Sequence, residues 1–218
     1  MSKLAFALAG LLAATSAHAV PTVALHSSNV GISSISVSVV GTLITIDETW
    51  TSTGIGSLVI SGLDASVNYQ VVKNITNLTG VDWTALANEL LDPAGNANDA
   101  SDQPNEAFVP AGFSHSNDRD GLSFAQGSIG EIRDSTVFAT VVADELATVD
   151  FLDYFGGTLI SGGTGTVRFS IRDNLGDPGD NQPFLLVQRP NERTDVPTPA
   201  ALGLFGLGLM FVATRRRG

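Results

Sequence analysis

Short runs of alternating apolar and polar residues, each cut off by Gly, Asn or Asp, constrain this chain more than anything else in it. Ile35, Val37 and Val39 alternate with serines, and Ile44, Ile46, Glu48 and Trp50 follow. After a turn at Gly54 and Gly56 come Leu58-Val59-Ile60 and then Val67, Tyr69 and Val71. The theme returns at Val137, Ala139, Val141, at Val167, Phe169, Ile171, and at Phe184-Leu185-Leu186-Val187. A period of two puts every second side chain on one face of an extended strand, so each run can bury that face against another sheet. The expected fold is therefore mainly β, an antiparallel β-sandwich of the jelly-roll kind. One short helix is expected among the strands, with Asp82 as N-cap, Trp83, Leu86, Ala87 and Leu90 on one face, and Asp92-Pro93 as the stop. No fixed-period repeat is present, which argues against a solenoid.

The two ends differ from this body. From Ala200 to Thr214 no residue is charged, and Arg215, Arg216 and Arg217 follow. A helix over those positions measures roughly 22 Å at ~1.5 Å per residue, short of the ~30 Å bilayer core unless the arginines snorkel or the preceding residues join it. The basic flank fixes the orientation, arginines cytoplasmic and body on the other side. At the other end, Met1-Ser2-Lys3 is a basic start, Leu4 to Ala14 an apolar run, and Ala17-His18-Ala19 a small-x-small cleavage site, the layout of a secretory signal peptide. The organisation expected is a signal peptide at 1–19, a β-sandwich ectodomain at 20–190, a linker with a sorting motif at 191–199, and a tail at 196–218 with its transmembrane helix at 200–214 and basic end at 215–217.

Charge narrows the partners. All 22 acidic residues lie between the signal and the tail, against seven basic ones, so that segment carries a net −15. Nucleic acid and anionic membrane surfaces are poor partners for such a body, whereas cations and neutral polymers suit it. The chain has no cysteine, which removes disulfides, thiolate catalysis and Cys-ligated zinc, and leaves stability to the core.

The tail carries a resemblance. Val196, Pro197, Thr198, Pro199 and Ala200, then the Gly/Leu-rich segment, then Arg215 to Arg217, resemble the PEP-CTERM sorting signal of Gram-negative bacteria, a domain also labelled as the C-terminal domain of ice-binding proteins. The acidic residue usual between the prolines is Thr198 here, which bears on the exosortase subtype. The resemblance implies recognition by exosortase, a membrane cysteine protease/transpeptidase, after signal peptidase has acted. It also implies a transient inner-membrane precursor, a cell-surface or extracellular destination, and company with exopolysaccharide and biofilm systems. "GFSHSNDRDGLSFAQG", "TNLTGVDWTALANEL" and "FSIRDNLGD...PFLLVQRP" resemble the ectodomain of a recurrent group of PEP-CTERM proteins with no assigned activity.

Within the body, Asp92 to Asp120 is polar and irregular. Ser116, Asp118 and Asp120, followed by Gly121, have the alternating-oxygen spacing of a calcium loop, although the twelfth position is Gly127 where a bidentate Glu belongs. An Asx-rich turn accounts for the same residues without a metal. Asp173 to Asp180 offers a second oxygen cluster with the same two readings. No other cofactor is indicated. His26 and His115 stand in no H-E-x-x-H or G-x-S-x-G setting, and no catalytic residue is assigned. The leading function is a non-enzymatic adhesion or exopolysaccharide-associated surface protein, in which exposed Trp50, Trp83 or Tyr69 would stack on sugars if not used in the core. A secreted polysaccharide-acting enzyme is the alternative. Ice binding ranks third, because Thr49, Thr51 and Thr53 supply one short T-x-T-x-T run and no repeat.

Overall fold

The computed structural model describes residues 20–94, 109–118, 120–124, 130–146, 148–173 and 182–194. The signal peptide, the sorting motif with its transmembrane tail, and most of the Asp173 to Asp180 cluster lie outside the described residues. Those described form two sheets. The first, sheet A, has the order β1 (Thr22–Leu25), β4 (Gly56–Ser61), β13 (Phe184–Pro190), β6 (Trp83–Pro93), β11 (Asp150–Leu159) and β10 (Phe138–Glu145), with β7 (Phe113–His115) also paired to β6. The second, sheet B, runs β2 (Ile32–Val40), β3 (Leu43–Trp50), β5 (Asn68–Asn77), β12 (Thr164–Asp173), β8 (Leu122–Ser123), with β9 (Arg133–Ser135) also on β12. Every pairing is antiparallel except β3 with β5, which is parallel because the chain visits sheet A as β4 between them.

Local sequence explains the hairpins. Val40 pairs with Leu43 across a two-residue turn whose Gly41 has φ 58, a left-handed conformation that glycine adopts without a Cβ clash. Alternation then sorts the side chains. On β3, Ile44, Ile46, Glu48 and Trp50 point inward, and on β5 Tyr69, Val71, Lys73 and Ile75 do so. They meet Leu58 and Ile60 of β4, Leu86 and Leu90 of β6, Leu152 and Tyr154 of β11, and Phe184 and Leu186 of β13 in one shared core. Trp50 and Trp83 cross between the sheets edge to face, ring centroids 5.1 Å apart at 83°. Space for Trp50 is made by two glycines: a Cβ on Gly31 or Gly56 would come within 2.4 or 2.2 Å of its ring.

The helix expected from Asp82 onward is a strand. β6 lies between β13 and β11, and both of its faces are covered: Leu86 and Leu90 join the main core, while Leu91 packs with Leu185 and Val187 on the outer side. A strand buried on both faces is apolar nearly throughout and so also matches a helical period. Asp82 caps no helix; its Oδ1 accepts from Ser161 N at 2.7 Å. Asp92-Pro93 still lies within β6, where Pro93 pairs with Phe113 of β7.

Candidate functional site

Four groups of polar side chains are organised by these sheets. The most extensive is the outer face of sheet B, opposite the core. Cross-strand register aligns Ser34, Thr49, Thr76 and Thr164 in one row, and Ser36, Asp47, Asn74 and Thr166 in the next. A third row holds Ser38, Thr45, Val72 and Arg168. The middle row is tied by hydrogen bonds, Asn74 Nδ2 donating to Asp47 Oδ1 (2.8 Å) and Thr166 Oγ1 to Asn74 Oδ1 (3.0 Å). Arg168 pairs with Asp134 of β9 at 2.6 Å, both half-exposed. Neighbouring strands lie ~4.8 Å apart and alternate residues ~6.7 Å apart, so this face is a grid of hydroxyl, amide and carboxylate groups open to solvent.

The second group is the turn at Ser116 to Leu122. Asp120 accepts from Asn117 N at 2.7 Å and from Leu122 N at 3.1 Å, so its two oxygens close the turn that precedes β8. The Ser116 hydroxyl faces Asp150 Oδ2 (2.9 Å), Asp120 Oδ1 (3.2 Å) and Leu122 O (3.1 Å). Burial, resisted by the amide bonds, pushes the Asp120 carboxyl up to about 7. Burial together with the Glu145 charge pushes Asp150 up to about 9. Of the three candidate calcium ligands, Ser116 and Asp120 are thus brought together and buried, whereas Asp118 is exposed. Among the described residues no group of three or more His, Asp and Glu is placed to hold a metal ion.

The third group lies on the outer face of sheet A. There β7 extends the sheet beside β6, Val109 and Phe113 pack against Leu91, Leu185 and Val187, and His115, opposite Leu91, is buried. Glu89 of β6 bonds His115 Nδ1 with one oxygen and Arg189 Nη1 of β13 with the other, the latter at 2.8 Å. Arg189 continues to Glu192 at 2.9 Å. Beyond it, Thr194 N donates to Asp153 Oδ2 at 2.6 Å, and the Arg193 guanidinium stands 3.5 Å over the Phe155 ring.

The fourth group is inside the sandwich. Glu48 of β3, Lys73 of β5 and Gln188 of β13 are each no more than 1% exposed. Lys73 Nζ lies 3.3 Å from Glu48 Oε2 and donates to Gln188 Oε1. Gln188 Nε2 donates to Glu48 Oε1 at 3.1 Å, and Trp50 Nε1 to Glu48 Oε2 at 3.0 Å. Burial pulls the Lys73 amine below its usual value, and the neighbouring Glu48 opposes that only in part. This cluster is absent from the expected sites, although its signal stands in the sequence: Glu48 and Lys73 occupy inward positions of otherwise apolar alternations.

Other expectations are corrected here. Trp50, Trp83 and Tyr69 are 0%, 0% and 2% exposed, so none can stack on a sugar. Of the T-x-T-x-T run only Thr49 belongs to β3; Thr51 and Thr53 sit in the bend that follows and extend no flat array. Residues 195–217 match the family model described as the PEP-CTERM protein-sorting motif. The match spans Val196 to Ala200 and Arg215 to Arg217, and the motif implies an exported, membrane-anchored precursor that exosortase processes on the way to the cell surface. No curated protein and no solved structure matches the chain.

Proposed function

We propose that this PEP-CTERM-bearing chain is a non-enzymatic protein of the cell surface or extracellular matrix, and that it holds a neutral polysaccharide against the outer face of sheet B. The observation that carries this reading is the hydrogen-bonded row Asp47, Asn74 and Thr166, with the hydroxyl row Ser34, Thr49, Thr76 and Thr164 on one side and Ser38 and Thr45 on the other. Hydroxyl, amide and carboxylate groups are the partners sugar hydroxyls pair with. The net −15 of the body disfavours polyanions and leaves neutral chains as the fitting polymers. With the tryptophans buried, binding would rest on hydrogen bonds exposed to water, each weak, and would gain strength by repetition along a polymer. A biofilm matrix supplies such repeats.

The same hydroxyl rows give the ice-binding reading its one supporting observation, although Asp47 and Arg168 interrupt them with charge. One set of measurements separates the readings. The mature chain should bind neutral glycans on an array, and Asp47→Ala with Asn74→Ala should weaken that binding at least tenfold with the fold unchanged. Thermal hysteresis without glycan binding would favour ice. Release of product from chromogenic glycans would favour the enzyme. Glycan binding untouched by the double substitution would remove this face from the reading.

A further inference from the structure

A lysine, a glutamine side chain and a carboxylate enclosed together are the components of an acyl transfer. The Lys73 amine is the nucleophile, the Gln188 amide the acyl donor, and the two Glu48 oxygens reach one each. Oε2 lies 3.3 Å from Lys73 Nζ, and Oε1 accepts from Gln188 Nε2 at 3.1 Å. Nζ itself contacts Gln188 Oε1, one bond from the carbonyl carbon. We propose that Lys73 and Gln188 become joined by an intramolecular amide bond across the two sheets, with Glu48 carrying protons between nucleophile and leaving group.

Every atom needed is present. Lys73 gives a proton to Glu48 Oε2 and becomes the free amine, a change favoured by burial, which disfavours the charged form. The Nζ lone pair attacks Gln188 Cδ, and the carbonyl π pair moves onto Oε1. On collapse the carbonyl re-forms and the Cδ–Nε2 bond breaks. The proton Glu48 took shifts within the carboxyl group from Oε2 to Oε1 and passes to Nε2, and Oε2 takes the one that Nζ loses, so ammonia departs and Glu48 ends as a neutral acid. One C–N bond forms and one breaks, with no oxidant, reductant or activating cofactor.

The surroundings favour it. All three groups are held on strands, Glu48 is oriented by Trp50 Nε1, and fixed contact replaces a bimolecular encounter. Water, which would compete as nucleophile, is kept out by the core that encloses Lys73. As an unreacted arrangement the cluster is expensive, because an ion pair taken out of water recovers its desolvation only in part. Conversion to an amide and a neutral acid removes both buried charges.

Intact-mass measurement of the full chain tests this directly. The expected mass is about 17 Da below that of the sequence, the ammonia lost on acylation. Trypsin should fail to cut after Lys73 and should yield a branched product joining the Lys73 and Gln188 peptides. Lys73→Met and Glu48→Gln should each restore the full mass, and Gln188→Glu should lose about 18 Da as water instead. A wild-type chain at full mass, cleaved normally after Lys73, overturns the proposal, as does a 17 Da deficit that persists in Lys73→Met. A branched product in Glu48→Gln would overturn the role given to Glu48.

Discussion

Trp50 meets Trp83 edge to face across the sandwich, the ring planes 83° apart, and Gly31 and Gly56 hold the space the Trp50 ring fills. The ring can therefore be neither removed nor displaced cheaply. Trp50→Ala should lower stability by about 3–5 kcal/mol through the cavity it leaves. Gly56→Ala should lower it by about 1–3 kcal/mol by overpacking. Both are measured as shifts of the urea midpoint at unchanged slope.

Glu89 of β6 bridges His115 of β7 and Arg189 of β13 on the outer face of sheet A. Glu89→Ala takes away the buried carboxylate that faces Arg189, whose partner Glu192 is exposed. A loss of about 3–5 kcal/mol is expected. Replacing both ends, Glu89→Gln with Arg189→Met, should cost less than the sum of the single changes, which a double-mutant cycle in urea would register.

Stability should fall as pH rises from about 4 to about 9. Asp150 and Asp120 have folded values of about 9 and about 7 against an unfolded 3.8. Below 3.8 both states are protonated and their contribution is complete; above it the unfolded chain ionises first, and the contribution is lost as pH climbs through the folded values. Asp150→Asn should flatten the upper part of that decline in melting temperature. A wild-type curve that rises between pH 5 and pH 8 would contradict it unless other groups outweigh these two, which the Asp150→Asn curve reveals.

Calcium provides a separate check on the Ser116, Asp118, Asp120 turn. Asp120 already accepts two backbone amides, and a cation would have to displace them. Millimolar calcium and sodium chloride of equal ionic strength should therefore raise the melting temperature alike, by screening the acidic body. A larger calcium effect, abolished by Asp118→Ala, would establish a bound ion, since only a folded-state ligand stabilises by mass action.

Processing of the tail is expected to depend on the two prolines of its motif. Proline removes a backbone donor and biases the preceding residue away from helix. Pro197→Ala with Pro199→Ala should make the precursor accumulate in the membrane. The mature wild-type chain, by intact mass, should begin at Val20 and lack Ala200 to Gly218. A mature form retaining Arg215 to Arg217 would instead indicate a simple anchor.

Strands buried on one face were legible because alternation reports a single buried face, as along β2, β3, β5 and β12. β6 was not, since burial on two faces erases the alternation, and its Trp83, Leu86, Ala87 and Leu90 spacing then imitates a helix. Short β7 and β9 carry too few residues to show any period. The Glu48, Lys73 and Gln188 cluster was half legible. Parity placed the two charges inside, but their meeting with β13 depends on a contact between residues 115 apart, which no local pattern encodes.

The order β1, β4, β13 decides how the protein answers to force. β1 and β13 both run antiparallel to β4, so the chain enters beside Ser61 and leaves past Gly56, at opposite ends of sheet A. A pull on the segment that leads to the sorting tail acts along β13, flanked on both sides by β4 and β6. Both hydrogen-bond ladders are then loaded together in shear, rather than opened one bond at a time as in peeling. Before that load arrives, it must strip Asn191 from Ala85, Arg193 from Phe155 and Thr194 from Asp153. Tension on this end is thus met first by side-chain ties and then by two ladders at once.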